Sequence, residues 1–389
     1  MSAQRDWLVQ STKRLHPRID LNGSNPAKFT QKGWESRFLR IFIAPWSEEL
    51  LKNRLFQKPT SNNEDNLWIW SLFKQRCDAL GIEANTIDYF DGEGSDSSFM
   101  ALGRIFTRFR AWNWIVDSMR ETGLTPRVLL QSEPFVTSPN MYVNIDSLYG
   151  KFTKVLYSCK LGRTLFARKS FRRILCNQTV DSVGFLQPHW ALGNQLNQKY
   201  FAKDGRSFLV MMLRNKIPVL PYKELYSARI SAVNYFGRTG DFALYGEGWT
   251  RRTFYPRLLH ARSVDACYKG ILQSREEYLA TMSNYTFAIC FENCSVDGYV
   301  TERIFDCMSV GTIPIYLGAP DISAYVPESC FVNAARFESP YKLHRFLTSL
   351  EPDRIQAYKE NIARFMNSSN FDRFRASQFS EHLVNLATR

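Results

Sequence analysis

Twice along this chain, apolar runs of strand length alternate with helical segments, and that rhythm leaves few folds open. In the first run Arg37 to Ala44 reads as a strand and residues 63–79 as a helix with Trp68, Leu72 and Phe73 on one side. Gly81 stands just beyond its end, and Thr86 to Phe90 reads as a second strand. A long helix is predicted from Arg104 to Glu121, leading into an apolar strand at Val128 to Gln131. The second run begins with strand Ser207 to Leu213, helix Tyr222 to Phe236 and strand Phe242 to Tyr245, which ends in Gly246-Glu247-Gly248. Ser274 and Glu277 form a capping box opening a helix to Tyr285. Strand Thr286 to Phe291 follows, and its near-continuous apolar character suits a parallel strand covered on both faces. A helix from near Tyr299 closes at Gly311, strands Ile313 to Leu317 and Phe331 to Asn333 come next, and Ser339-Pro340 caps another helix.

Such alternation predicts two α/β domains with parallel sheets facing a cleft. The expected division is an irregular arm at 1–35, a first domain at 36–185, a second at 186–370 and a terminal helix at 371–389. In that helix Phe379, Leu383 and Leu386 are placed to pack back across the junction. With 389 residues, each domain is long enough for its own core.

The net charge of +13 favours phosphate-rich partners. The first 30 residues show no charged start followed by an apolar run, and the eight cysteines form no paired C-x-x-C units. A reducing, cytoplasmic setting with buried free thiols is therefore expected, with peripheral contact to the anionic surface of an inner membrane.

The densest chemistry lies where the strand ending at Phe291 gives way to Glu292-Asn293, a Gly-containing loop and a helix opening on Glu302-Arg303. In open parallel sheets, ligands sit at the carboxyl ends of strands, where a helix N-terminus adds free N–H groups suited to phosphate. The competing structural reading has Glu302 serving its own helix dipole, Arg303 solvated and Asn293 capping a turn.

Phe291-Glu292-Asn293, then Tyr299-Val300-Thr301-Glu302-Arg303, then Gly311 to Gly318 and Tyr325 to Val332 together resemble the donor-binding domain of the family 10 α-1,3-fucosyltransferases. The likeness is close over Lys269 to Leu350 and extends weakly upstream through Arg229 and the Leu244-Tyr245-Gly246 turn. It implies the GT-B fold, with two Rossmann-like domains, GDP-fucose as donor substrate in the second and a glycan acceptor in the first. It also implies inversion at the anomeric carbon and no required metal cofactor, a divalent cation being at most stimulatory. Carried onto matching positions, it makes Arg229, Asn293, Tyr299, Glu302 and Arg303 donor-binding residues, with Asn215, Tyr245 and Gly246 beside them. Arg303 stands where the family usually has Lys, keeping the charge but presenting a planar fork.

Departure of GDP puts negative charge on the diphosphate, and without a metal that charge falls to cations, for which Arg229 and Arg303 are the candidates. Glu302 is placed to answer positive charge on the sugar ring or to bind fucose hydroxyls. Glu133, just beyond the strand ending at Gln131, is the candidate base for the acceptor hydroxyl, although a plain turn carboxylate fits there too.

Other residues carry less. His189 beside Pro188 and Trp190 reads as structural, and Gly246-x-Gly248 is too short for a dinucleotide fingerprint. Asp91, Glu93 and Asp96 read as a solvated loop, and Arg168 to Arg173 and Arg251-Arg252 as surface, with no nucleic acid as partner. The expected acceptor is an oligosaccharide or a lipid-linked glycan. Another GDP-deoxyhexose as donor, or a silent nucleotide- or glycan-binding protein, stays open on sequence alone.

Overall fold

The computed structural model describes residues 39–57, 67–94, 96–102, 120–121, 123–139, 151–157, 182–184, 196–219, 222–249 and 261–388. The expected N-terminal arm, nearly all of the helix at 104–121, His189 and both basic clusters lie outside them.

Six parallel strands build the first sheet: β1 (Arg40–Ala44), β2 (Glu83–Thr86), β3 (Ser97–Leu102), β4 (Thr125–Gln131), β5 (Lys154–Tyr157) and β6 (Ser182–Gly184). Their spatial order is β2-β1-β3-β4-β5-β6. Helix α1 (Leu67–Ala79) lies between β1 and β2 in the chain and buries Ile69, Trp70, Phe73 and Cys77. Trp68 and Leu72, expected on that face, are only partly buried.

Two differences from the sequence reading have local causes. The strand expected at Thr86 to Phe90 occupies Glu83–Thr86 instead. Asn53 Oδ1 accepts the Thr86 N–H at 2.8 Å, and Ile87–Tyr89 form a single 3-10 turn with Tyr89 half exposed. Strand β3 escaped notice because Ser97 and Ser98 look like a loop, yet all six of its residues are buried. The acidic loop beside it is held by ion pairing, with Arg40 donating to Asp91 at 2.8 Å and to the Glu93 carbonyl at 3.3 Å.

The short helix α2 (Gln198–Phe201) precedes the second sheet. That sheet comprises β7 (Ser207–Met212), β8 (Phe242–Tyr245), β9 (Tyr268–Gly270), β10 (Tyr285–Phe291), β11 (Ile313–Leu317) and β12 (Val332–Asn333). The order is β12-β11-β10-β7-β8-β9, again parallel throughout. The chain winds outward one way from β7 and the other way from β10, so the topological switch lies between these two central strands.

Covering and connecting helices are α3 (Tyr226–Phe236), α4 (Ala261–Cys267), α5 (Arg275–Met282), α6 (Glu302–Ser309), α7 (Pro340–Thr348) and α8 (Pro352–Met366). Helix α3 starts four residues later than read, where Glu224 Oε2 accepts the Ser227 N–H at 3.0 Å. Ser274 caps α5 by accepting the Glu277 N–H, while Glu277 reaches back to the Gln273 N–H rather than to Ser274.

Helix α9 (Ala376–Thr388) leaves the second domain and packs on α1, placing Phe379, Leu383, Val384 and Ala387 in one core with Ile69, Trp70 and Phe73. Ser380 Oγ donates to the Ile69 carbonyl at 3.1 Å, so the terminal helix crosses back as expected. The domains also meet at loops. Val219 N–H donates to the Val136 carbonyl at 2.8 Å, and the Phe135 and Tyr222 rings lie 6.3 Å apart. The loop after β4 thus meets the loop after β7. The six cysteines among the described residues are all buried and free.

Candidate functional site

A cavity of about 250 Å³ opens at the carboxyl ends of β7 and β10, at the switch point. Its wall carries Arg214 and Lys216 from the loop after β7, Arg229 from α3, Arg275 from α5 and Arg303 from α6, with Glu302 and Asp306 as the acids. Among the described residues, five cations stand against two carboxylates, which suits the cavity to anions.

Asn293, two residues beyond β10, ties the centre together. Its Oδ1 accepts from Arg229 Nη2 at 3.0 Å and Arg303 Nη2 at 3.4 Å, while its Nδ2 donates to the Tyr299 hydroxyl at 3.3 Å. The two guanidinium groups thus converge on one oxygen, and Tyr299 braces that oxygen's amide from behind.

Arg229 is 2% exposed. Its Nη2 also donates to the Phe291 carbonyl at 2.7 Å, and its guanidinium carbon sits 4.7 Å from the centre of the Tyr226 ring. Among the described residues, Nε is buried without a hydrogen-bond partner. Burial, followed by the like charge of Arg303, draws Arg229 down to about 10, so it is still cationic at neutral pH but under strain that an anion would relieve.

Arg303 is set differently. Thr301 caps α6, and Glu292, fully buried, accepts from Thr301 N at 2.8 Å, from Thr301 Oγ1 at 2.9 Å and from Arg303 Nη1. Burial works against the Arg303 charge, but Glu292 and then Glu302 outweigh it and hold the guanidinium well above its ordinary range. For the Glu292 carboxyl, burial pushes upward and Arg303 pulls back. On the far wall Arg275 Nη1 donates to Asp306 Oδ2 at 2.8 Å, which neutralises that cation at the cavity edge.

Of the residues singled out from sequence, Arg229, Asn293, Glu302 and Arg303 line the cavity and Tyr299 supports it. Asn215, Tyr245 and Gly246 are not among its lining residues: Asn215 is on the loop after β7, Tyr245 ends β8 and Gly246 follows it. Asn215 Nδ2 donates to the Gly248 carbonyl at 3.0 Å. Gly246 has φ +126°, and a Cβ there would meet the Leu213 carbonyl oxygen at 2.5 Å, so glycine is required for the close approach. Glu133 stands on the inter-domain loop after β4, its Oε2 accepting from Thr137 Oγ1 at 3.0 Å, and its charge is felt at Tyr226.

Sequence reasoning named Glu292 without giving it a role and missed Arg214, Lys216, Arg275 and Asp306. An ionisable residue directly after an apolar strand was the available signal for Glu292. The Arg275–Asp306 pair needed the packing of α5 on α6. Among the described residues, no three His, Cys, Asp or Glu side chains gather as metal ligands.

Two parallel-sheet domains joined by a returning C-terminal helix define the GT-B class of glycosyltransferase fold. An α-glucosyltransferase solved in complex with UDP and DNA shares it, with a TM-score of 0.52 and 12% identity over 90% of this chain and 100% of that one. Residues 244–368 match the model for glycosyltransferase family 10 (fucosyltransferase), C-terminal region. Curated relatives include GDP-fucose protein O-fucosyltransferase 3 of Bos taurus, 29% identical over 30% of this chain and 23% of its own length. Another is α-(1,4)-fucosyltransferase of Arabidopsis thaliana, 35% identical over 28% of this chain and 25% of its own length. The chain thus spans about a quarter of the length of these relatives.

Proposed function

We propose that this protein transfers fucose from GDP-fucose to a hydroxyl of a glycan acceptor, with inversion at the anomeric carbon. The observation that carries the reading is the convergence of Arg229 and Arg303 on Asn293 Oδ1 inside a cationic cavity at the switch point. The two relatives share fucose transfer but not one acceptor or linkage, which supports the donor more than any acceptor.

In this reading the diphosphate lies across Arg229, Arg303 and Lys216. The acceptor oxygen forms its bond to the anomeric carbon as the bond from that carbon to the diphosphate breaks, and the electron pair leaves on GDP. Glu133 takes the acceptor proton, and Glu302 faces the positive charge growing on the ring. The cations would meet the leaving charge in place beforehand, so turnover continues in EDTA.

The acceptor proposed is an oligosaccharide or lipid-linked glycan bearing N-acetylglucosamine or glucose, linked α-1,3. GDP release from GDP-fucose, measured over a panel of N-acetylglucosamine-containing and galactosyl acceptors, tests the reading. Release above the water background with at least one acceptor is expected, and none with any acceptor would defeat it. Thermal shift across GDP-sugars tests the donor separately, since saturation at a hundredfold Kd stabilises by about 2.7 kcal/mol.

A further inference from the structure

Arg303 has five N–H donors, and its protein partners take only one edge of the fork. Nη1 is committed to Glu292 and to Thr301 Oγ1 at 3.0 Å, while Nη2 reaches Asn293 Oδ1 at 3.4 Å. No group among the described residues accepts from Nε. Glu292 therefore grips the guanidinium from behind, and the Nε/Nη2 edge is left for the cavity that Arg303 lines.

The fold reserves space for this carboxylate. Gly318 follows β11, and a Cβ there would meet Glu292 Cγ at 2.6 Å as well as the Tyr316 hydroxyl. Glu292 N–H donates to the Leu317 carbonyl at 2.8 Å, fixing the backbone from which the side chain turns inward. A buried carboxylate with three donors and a made-to-fit slot is costly unless its ion pair is in place.

We propose that Glu292 is a positioning residue that aims the Nε/Nη2 edge of Arg303 at the diphosphate of a nucleotide, holding it beside Arg229 against their mutual repulsion. The inference rests on the donor-binding reading above and adds to it the group that sets the fork's direction. Without Glu292, two like charges sharing one amide oxygen separate, and Arg303 turns toward solvent.

A double-mutant cycle read by GDP titration calorimetry tests this. Glu292→Gln should weaken GDP binding about ten- to a hundredfold when Arg303 is present, and by less than about twofold in an Arg303→Met background. Should Glu292→Gln fail to fold by circular dichroism, Glu292→Asp takes its place, keeping the charge but shortening the reach. A smaller loss, again confined to the Arg303 background, is expected. Equal losses in both backgrounds would make Glu292 a helix-end brace only and overturn the inference while leaving the donor reading intact. No GDP binding by the unaltered protein would remove the donor reading and this inference together.

Discussion

Replacing Arg229 by Met separates its structural work from its work on a ligand. Met fills similar volume but removes the bonds to the Phe291 carbonyl at 2.7 Å and Asn293 Oδ1 at 3.0 Å. Each such charge-assisted bond is worth about 1.5–3 kcal/mol. Against this, the displacement of Arg229 to about 10 corresponds to a penalty of about 3 kcal/mol on its charged form in the folded state. By sign, that penalty applies at every pH below the folded value. It is relieved only between about 10 and the unfolded value, where stability would rise with pH.

The opposing contributions leave a net destabilisation between about zero and about 3 kcal/mol, so the variant should still fold. On the proposed donor reading, GDP binding has no such compensation. Loss of one charged contact to a diphosphate should raise Kd about ten- to a hundredfold. Urea unfolding and GDP titration calorimetry on the same preparations read the two quantities. A variant that folds and binds GDP within about twofold of the parent would refute the reasoning and make Arg229 a buried strut.

Glu302→Gln and Glu133→Gln should each lower kcat by about a hundredfold or more while leaving GDP affinity nearly unchanged, measured by steady-state kinetics beside calorimetry. Asp306→Asn leaves Arg275 facing a neutral amide in a site where Asp306 is 2% and Arg275 16% exposed. A loss of about 3 kcal/mol in urea unfolding is expected, and a change under about 0.5 kcal/mol would contradict the pairing account. Gly246→Ala forces a Cβ onto the Leu213 carbonyl at a φ that suits glycine, and should lower stability by about 1–3 kcal/mol. Unchanged Tm would show that the turn can relax.

The central motif was legible because its elements are local. An apolar strand, a polar loop and a capped helix follow one another in sequence, and the switch-point rule assigns that junction to ligands. What it could not give was direction. Arg303 read as either solvated or phosphate-facing, and only the inward turn of Glu292 shows one edge held and another presented. Arg214 and Lys216 belong to the carboxyl end of β7, so the same rule applied to that strand would have found them. Asp306 lies 31 residues from Arg275, a distance that periodicity within one helix cannot span. In the first domain, β3 was hidden because two serines begin it. Their burial follows from a central place in the sheet between β1 and β4, a long-range property.

The most direct test is a crystal structure of the protein soaked with GDP. The account predicts the diphosphate at the carboxyl ends of β7 and β10, with its oxygens within hydrogen-bond distance of both Arg229 and Arg303. A diphosphate bound outside that cavity, or touching neither guanidinium, would contradict it.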